Sequence, residues 1–296
     1  MSTRTAVLQA PVDHRSVLRA LTLIQAKRFV THPVYLLGLA ILAFVAWTSP
    51  KGGDPYWLEG LTVTTSLFVG VPGLVVAYRL TATEDRALAL LPSAPTSGVT
   101  RTLALVGACL VPALTALALM ILWVVLAVVA EPGTSLPQPE PALIEIAGGW
   151  GTALVILLDG TVVSCFGGPA LGVATGRWLR FPGAGTLVTV ALVVSVAFVV
   201  GWSLQIPGAG QTWASRVAAA ASPFADWVMV TQDEEIVGVR PGSPLGHLLY
   251  AISLSGLAVW AAVMKDAVGA TRALWRRIGA TLVLLAVVTW AWALLG

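Results

Sequence analysis

The chain has 296 residues, of which 57% are hydrophobic and only 10% charged, with a formal net charge of +3 and a mean hydropathy of +0.87. A soluble globular domain carries about 25% charged residues, so this composition excludes a water-soluble enzyme, and so small a positive excess does not describe a nucleic-acid-binding surface. The apolar runs are continuous and about 17 to 29 residues long, against about 20 residues for a helix crossing the hydrocarbon. They lack the ten-residue alternating segments of a membrane barrel, and in lipid each must satisfy its own backbone as a helix.

In chain order, residues 1–13 are polar and lack a cleavable signal pattern. Residues 14–31 predict a helix that does not span. It carries Arg15, Arg19, Lys27 and Arg28, with Val17, Ala20, Leu21 and Ile24 on one stripe and Arg15, Arg19 and Thr22 opposite. This is the pattern of an elbow helix lying at the headgroup boundary. Pro33 starts a new segment. Seven spans are then expected, at about 33–49, 61–78, 102–130, 146–176, 186–204, 245–264 and 278–295. The tripeptide Gly167-Gly168-Pro169 is expected to kink or interrupt the fourth. Two larger loops remain, a proline-rich one at 131–145 and one at 205–244. The middle of the latter, 212–230, is apolar enough for a helix on or dipping into the surface.

Positive residues fix the orientation, since short cytoplasmic loops carry the excess of Lys and Arg. With the N-terminus inside, Arg4, Arg15, Arg19, Lys27, Arg28, Arg79, Arg86, Arg101, Arg177, Arg180, Lys265, Arg272, Arg276 and Arg277 are cytoplasmic. Only Lys51, Arg216 and Arg240 fall outside. Seven spans then put Gly296 outside. Trp47, Trp57, Trp150, Trp178, Trp202 and Trp275 lie near span boundaries, as an aromatic belt requires.

Motifs for chemistry are sparse. The three lysines, Lys27, Lys51 and Lys265, do not follow a glycine, so the chain has no phosphate-cradling Gly-Lys-Ser/Thr turn. His14, His32 and His247 stand in separate segments without metal-ligand spacing. His32 and His247, near helix ends, read as interfacial polar residues, and Cys109 and Cys165 as small side chains inside spans. No catalytic residue, metal site or resident cofactor is expected. Asp159 is the one acidic residue deep in a span, where a carboxylate is costly. It either binds a cation or relays protons, or it caps or hydrogen-bonds a neighbouring helix with Ser164 or Thr161, or it sits near the outer third of a long tilted helix. The segment after the second span, 81–92, pairs Thr81 with Glu84 as a helix-starting capping box. It continues through Asp85, Arg86, Ala87, Leu88, Leu90 and Leu91 to Pro92. That is a short helix, charged at its start and apolar at its end. It is either a plain connection or a protrusion that docks into a groove on a partner.

The basic helix Arg15–Arg28 leading into the first span, the run Glu84-Asp85-Arg86-Ala87-Leu88-Ala89-Leu90-Leu91-Pro92, the opening Arg101-Thr102-Leu103-Ala104-Leu105 of the third span, and His247-Leu248-Leu249-Tyr250 with Lys265-Asp266 together resemble the permease subunits of ABC-2 type ABC transporters, in an actinobacterial-like branch. The resemblance covers most of the chain with loose motifs. It implies an exporter permease of a bacterial plasma membrane that pairs with a second permease copy or a homologue, with a separate cytoplasmic ATPase dimer holding ATP and Mg. The coupling residues it implies are Glu84, Asp85, Arg86, Leu88 and Leu91; polar and helix-breaking residues in spans, Asp159, Ser164 and Pro169, are the substrate-path candidates. The family core has six spans with both ends inside, and the present count departs from it by one. Two other function classes fit the sequence: an ion-coupled secondary transporter using Asp159, and a membrane assembly protein without transport activity.

Overall fold

The structure, a computed structural model, describes residues 14–48, 64–90, 96–129, 148–179, 181, 183–205, 213–222, 228–230, 237–239 and 242–296. The 131–145 loop, Leu91, Pro92 and the N-terminal tail lie outside these. The described residues are helical apart from turns and one short antiparallel pair. The helices are α1 (His14–Val30), α2 (Pro33–Thr48), α3 (Val71–Leu90, entered through a π-helical turn Ser66–Gly70), α4 (Gly98–Ala108), α5 (Leu110–Val129) and α6 (Trp150–Leu157). A second π-helical turn, Leu158–Val163, joins α6 to α7 (Ser164–Trp178), followed by α8 (Ala184–Gln205), α9 (Trp213–Ala221), α10 (Pro244–Asp266) and α11 (Gly269–Leu295). Strands β1 (Val228–Val230) and β2 (Val237–Val239) pair antiparallel with Met229 opposite Gly238.

Five helical stretches are long and apolar enough to cross a membrane: Ser66–Ala87, Gly98–Val125, Trp150–Trp178, Pro244–Asp266 and Gly269–Leu295. A sixth is obtained if α1 and α2, bent by 55° at their junction, count as one, and Ala184–Ala197 is a shorter apolar helix. The protein is therefore an all-α, multi-pass membrane protein. Large apolar side chains cover its exterior, among them Leu37, Phe44, Leu187, Val194, Leu284 and Val288. In lipid this is the stable arrangement, because the surroundings are as apolar as the interior.

Local chemistry sets the helix ends. Ser97 caps α4 by accepting from Thr100 N at 3.1 Å, and Ser243 caps α10 by accepting from Gly246 N at 3.1 Å, with Pro244 in the first turn where its missing N–H costs nothing. The break between α4 and α5 at Cys109 stands three residues before Pro112. Proline cannot donate to the carbonyl four residues back and crowds it.

The long helix α6–α7 runs through the middle of the bundle, and α7 is buried along nearly its whole length. Gly168, Gly172 and Gly176 form a ladder along one of its faces against α3. A Cβ on Gly172 would lie 2.3 Å from the Leu74 carbonyl oxygen and one on Gly176 2.7 Å from Thr81 Cβ, while Gly168 sits over the Gly70 carbonyl. Without a hydrophobic force between helices in lipid, such spacing of small residues lets backbones approach and is a main source of adhesion. On the other flank α10 packs against α7 and pairs with α11. Trp260 rests on Gly279, its Nε1 donates to the Trp275 carbonyl at 2.7 Å, and Ser243 N donates to Ala293 O at 3.1 Å.

Two sequence expectations are corrected here. Thr81 does not begin a helix: residues 81–90 continue α3 without a break, and the Thr81 hydroxyl donates to the Ala77 carbonyl at 2.8 Å. The capping-box pattern fails because the helix upstream already satisfies those backbone groups. On α1 the stripe residues Ala20 and Ile24 are exposed. Ile24 is 50% exposed, whereas Gln25 and Phe29 are buried and Thr22 seats against Gly107. Beside lipid, the polar and small residues turn inward. Pro169 lies inside a continuous α7; the irregular turn is the π segment ending at Val163, one turn earlier.

Candidate functional site

Two buried polar centres occupy opposite ends of the helix bundle. The first is built on the π turn Leu158–Val163. A π turn closes i to i+5 bonds, and here Ser164 N–H reaches the Asp159 carbonyl. Ser164 Oγ donates to that same carbonyl at 3.0 Å, and Thr161 Oγ1 donates to the Leu157 carbonyl. Neither hydroxyl therefore serves the Asp159 carboxylate. Its partner is His247, in the first turn of α10, whose Nδ1 lies against Asp159 Oδ2. Asp159 is 2% exposed and His247 0%, so the reading of His247 as an interfacial polar residue is corrected.

The other ring nitrogen of His247, Nε2, lies 2.8 Å from the Ser222 carbonyl oxygen, just past the end of α9. Tyr250, one turn along α10, donates to the Ala221 carbonyl at 3.1 Å. The last carbonyls of α9 thus find their partners on α10, as helix C-termini require. Asp159 Oδ1 is buried and has no hydrogen-bond partner among the described residues. The π turn between α6 and α7 also touches the π turn at the head of α3: Ser66 Oγ donates to Gly160 O, and Cys165 Sγ, just beyond it, lies 3.7 Å from Thr65 O. Such turns leave backbone carbonyls without helical partners and are frequent at functional sites.

The second centre joins four helix ends. Arg177, near the end of α7 and only 4% exposed, pairs with Asp85 of α3. It also stands 3.6 Å from Glu84 of α3 and 3.6 Å from Asp266 at the end of α10. Arg101 of α4 lies 3.6 Å from Glu84, and the Thr102 hydroxyl donates to Asp266. Of the ion pairs in this cluster, only that of Arg177 with Asp85 is a hydrogen bond; the Arg177 Nε and Nη2 and Glu84 Oε2 contacts are charge proximity at longer range. Beside the cluster, Trp178 Nε1 donates to the Ala261 carbonyl at 2.8 Å, and the Lys265 ammonium lies 4.8 Å from the Trp178 ring, within cation–π range.

The residues singled out from sequence therefore separate. Glu84 and Asp85 turn into the bundle, while Arg86 on the same turn of α3 is exposed. Leu88 belongs to α3, its side chain lying outside the described residues, as does all of Leu91. Asp159 and Ser164 share the π turn, but Pro169 stands ten residues on, about 15 Å along a helix, packed on Gly73. Sequence reading missed His247, Ser222, Tyr250, Arg177 and Asp266 as members of these centres. The signal available was a histidine and an aspartate each placed inside an expected span, with nothing to say that α10 meets the helix of Asp159 at that height. Among the described residues no group of three or more His, Cys, Asp or Glu is placed to hold a metal ion. Comparison with known protein-family models, with curated proteins and with solved structures finds no match to this chain.

Proposed function

We propose that this chain is the membrane-spanning permease subunit of an ABC-2 type exporter, seated in a bacterial plasma membrane with seven spans and its N-terminus in the cytoplasm. A separate ATPase dimer, binding ATP and Mg, drives it, and a second permease copy or a homologue completes the translocation path. What carries the reading is the ion cluster of Glu84, Asp85, Arg101, Arg177 and Asp266. It ties both helix ends flanking the segment 91–97 to the ends of α7 and α10. By the distribution of Lys and Arg this is the cytoplasmic end. A push delivered to that segment by a partner reaches the central helix through charges held in a low-dielectric setting, not through a flexible loop. In this scheme Glu84 and Asp85 transmit the movement and do not touch the ATPase, and the exposed Arg86, with the apolar Leu88 and Leu91 beyond it, forms the docking edge. The bent α1–α2 pair, with its basic helix leading into the first span, supports the same assignment.

The test is co-purification of the tagged protein from its native membranes in mild detergent, with partners identified by mass spectrometry. A P-loop ATPase is expected with the wild type, and Arg86→Glu, which leaves the ion cluster intact, is expected to lose it. Absence of any ATPase across several detergents sinks the assignment. A second reading, an ion-coupled secondary transporter, draws on the Asp159–His247 pair within the spans. It requires substrate movement driven by a pH gradient in vesicles containing this chain alone, which the permease reading forbids.

A further inference from the structure

The His247 ring faces an acceptor on each side. The Asp159 carboxylate stands at Nδ1 and the Ser222 carbonyl, which can only accept, at Nε2. The carbonyl requires a hydrogen on Nε2. One more proton must then lie between Nδ1 and the carboxylate, either on the ring beside an anionic Asp159 or on Asp159 beside a neutral ring. Either way the docked arrangement holds one shared proton and is neutral overall, the form that a buried site tolerates.

Removing that proton leaves one ring hydrogen for two acceptors. The ionised carboxylate is the stronger acceptor, so the hydrogen goes to Nδ1 and Nε2 turns a lone pair toward the Ser222 oxygen. Two acceptors at 2.8 Å repel. The contact that breaks is the one at the end of α9, and among the described residues the Tyr250 hydroxyl on Ala221 is a second tie there. Among the described residues the titratable side chain beside the ring is Tyr250, with ring centroids 5.9 Å apart. Of the elements packed around the pair, α5 and α6 contribute no titratable side chain, and Cys165 of α7 points to Thr65. Lys265, Asp266 and the arginines of α11 stand at the opposite end; the side chain of Arg216 on α9 lies outside the described residues.

We propose that Asp159, His247 and the Ser222 carbonyl form a binding site for one proton, which latches α9 onto the bundle and lets it go when the proton leaves. The site is independent of any ATPase and works in either functional reading. Asp159 Oδ1 is buried, and among the described residues no donor reaches it that would fix the carboxylate's charge without the histidine.

The experiment is thiol labelling of Ser222→Cys in nanodiscs, where both faces meet the reagent. The native Cys109 and Cys165 are 0% exposed and stay silent. Val268→Cys, at a residue 77% exposed at the other end of the bundle, corrects for the thiol's own response to pH. The corrected labelling of Ser222→Cys is expected to rise about tenfold as pH increases, the scale of losing one hydrogen bond to a charged group. Nitrogen-15 spectra, with His247 assigned by its absence in His247→Ala, are expected to report loss of the Nε2 hydrogen over the same pH interval. In His247→Ala labelling should be high at every pH. In Asp159→Asn it should be low at every pH, because the carboxamide donates to Nδ1 and fixes the hydrogen on Nε2. A wild-type ratio that is flat in pH, a His247→Ala protein as protected as wild type, or ring titration without a change in labelling overturns the proposal. If Asp159→Asn does not yield a monodisperse protein, the wild-type titration and His247→Ala decide alone.

Discussion

Arg177 holds a guanidinium, almost wholly buried, among the carboxylates of Asp85, Glu84 and Asp266. Such a group is costly to bury and costlier to orphan: removing one partner of a buried pair costs about 3–5 kcal/mol because the other charge remains. Arg177→Ala is therefore expected to lower the thermal midpoint of the detergent-solubilised protein sharply. Arg177→Lys should recover only part of the loss, since an ammonium cannot reproduce the planar fork that reaches several carboxylates. Equal midpoints for the alanine variant and the wild type would show the cluster to be energetically idle. In the sequence Arg177 is one of many positive residues at a span end, and its partners Asp85 and Asp266 lie about 90 residues away on either side. Spacing along the chain carries no trace of that meeting. The same holds for Asp159, whose own helix offered two nearby hydroxyls as partners. Both instead serve backbone carbonyls, as Ser and Thr commonly do in helices.

At the scale of elements, the contact between α3 and α7 depends on the absence of side chains at Gly168, Gly172 and Gly176. A methyl at Gly172 would meet the Leu74 carbonyl at 2.3 Å, which is backbone and cannot swing aside. Gly172→Ala is expected to cost about 1–3 kcal/mol through forced separation of the helices. Gly151, with nothing within 4 Å of its would-be Cβ, is the matching control. Gly151→Ala should be neutral or raise stability by about 0.4–1 kcal/mol by restricting the unfolded chain. Thermal unfolding of the two variants side by side checks both, and similar shifts would deny the ladder its role. The helices themselves were legible because runs of apolar residues have one meaning in a bilayer. Their internal detail was not. The Gly167-Gly168-Pro169 tripeptide suggested a break, yet two of its members serve packing, Gly168 on Gly70 and Pro169 on Gly73. The two π turns have no signature in composition at all.

For the molecule as a whole, the ion cluster gathers Arg101, Arg177 and Asp266 at one end and the Asp159–His247 pair lies toward the other. Seven spans put the two termini on opposite sides of the membrane, whereas six put them on the same side. Alkaline phosphatase fused after Gly296 is expected to be active in cells and a fluorescent protein at the same point dark, with the reverse result for fusions at Met1. Identical behaviour at both ends would remove one span from the count, and α1–α2, with its 55° bend, would be the first to reconsider. The number of spans resists sequence reading for a physical reason: α2 has only 16 residues and borrows length from a neighbour across a bend.

The π turn at Leu158–Val163 bears on how this helix tolerates change in its gene. Closing a loop over five residues in place of four accommodates one extra residue without rotating what comes before or after it. Loss of a single codon there, for example that of Gly160, would return the stretch to an ordinary α-helix and leave the glycine ladder still facing α3. The carboxylate would then be re-aimed while the scaffold survived. The polar pair and the packing of the helix that bears it are thus separable, and a lineage could abandon the one and keep the other in a single step.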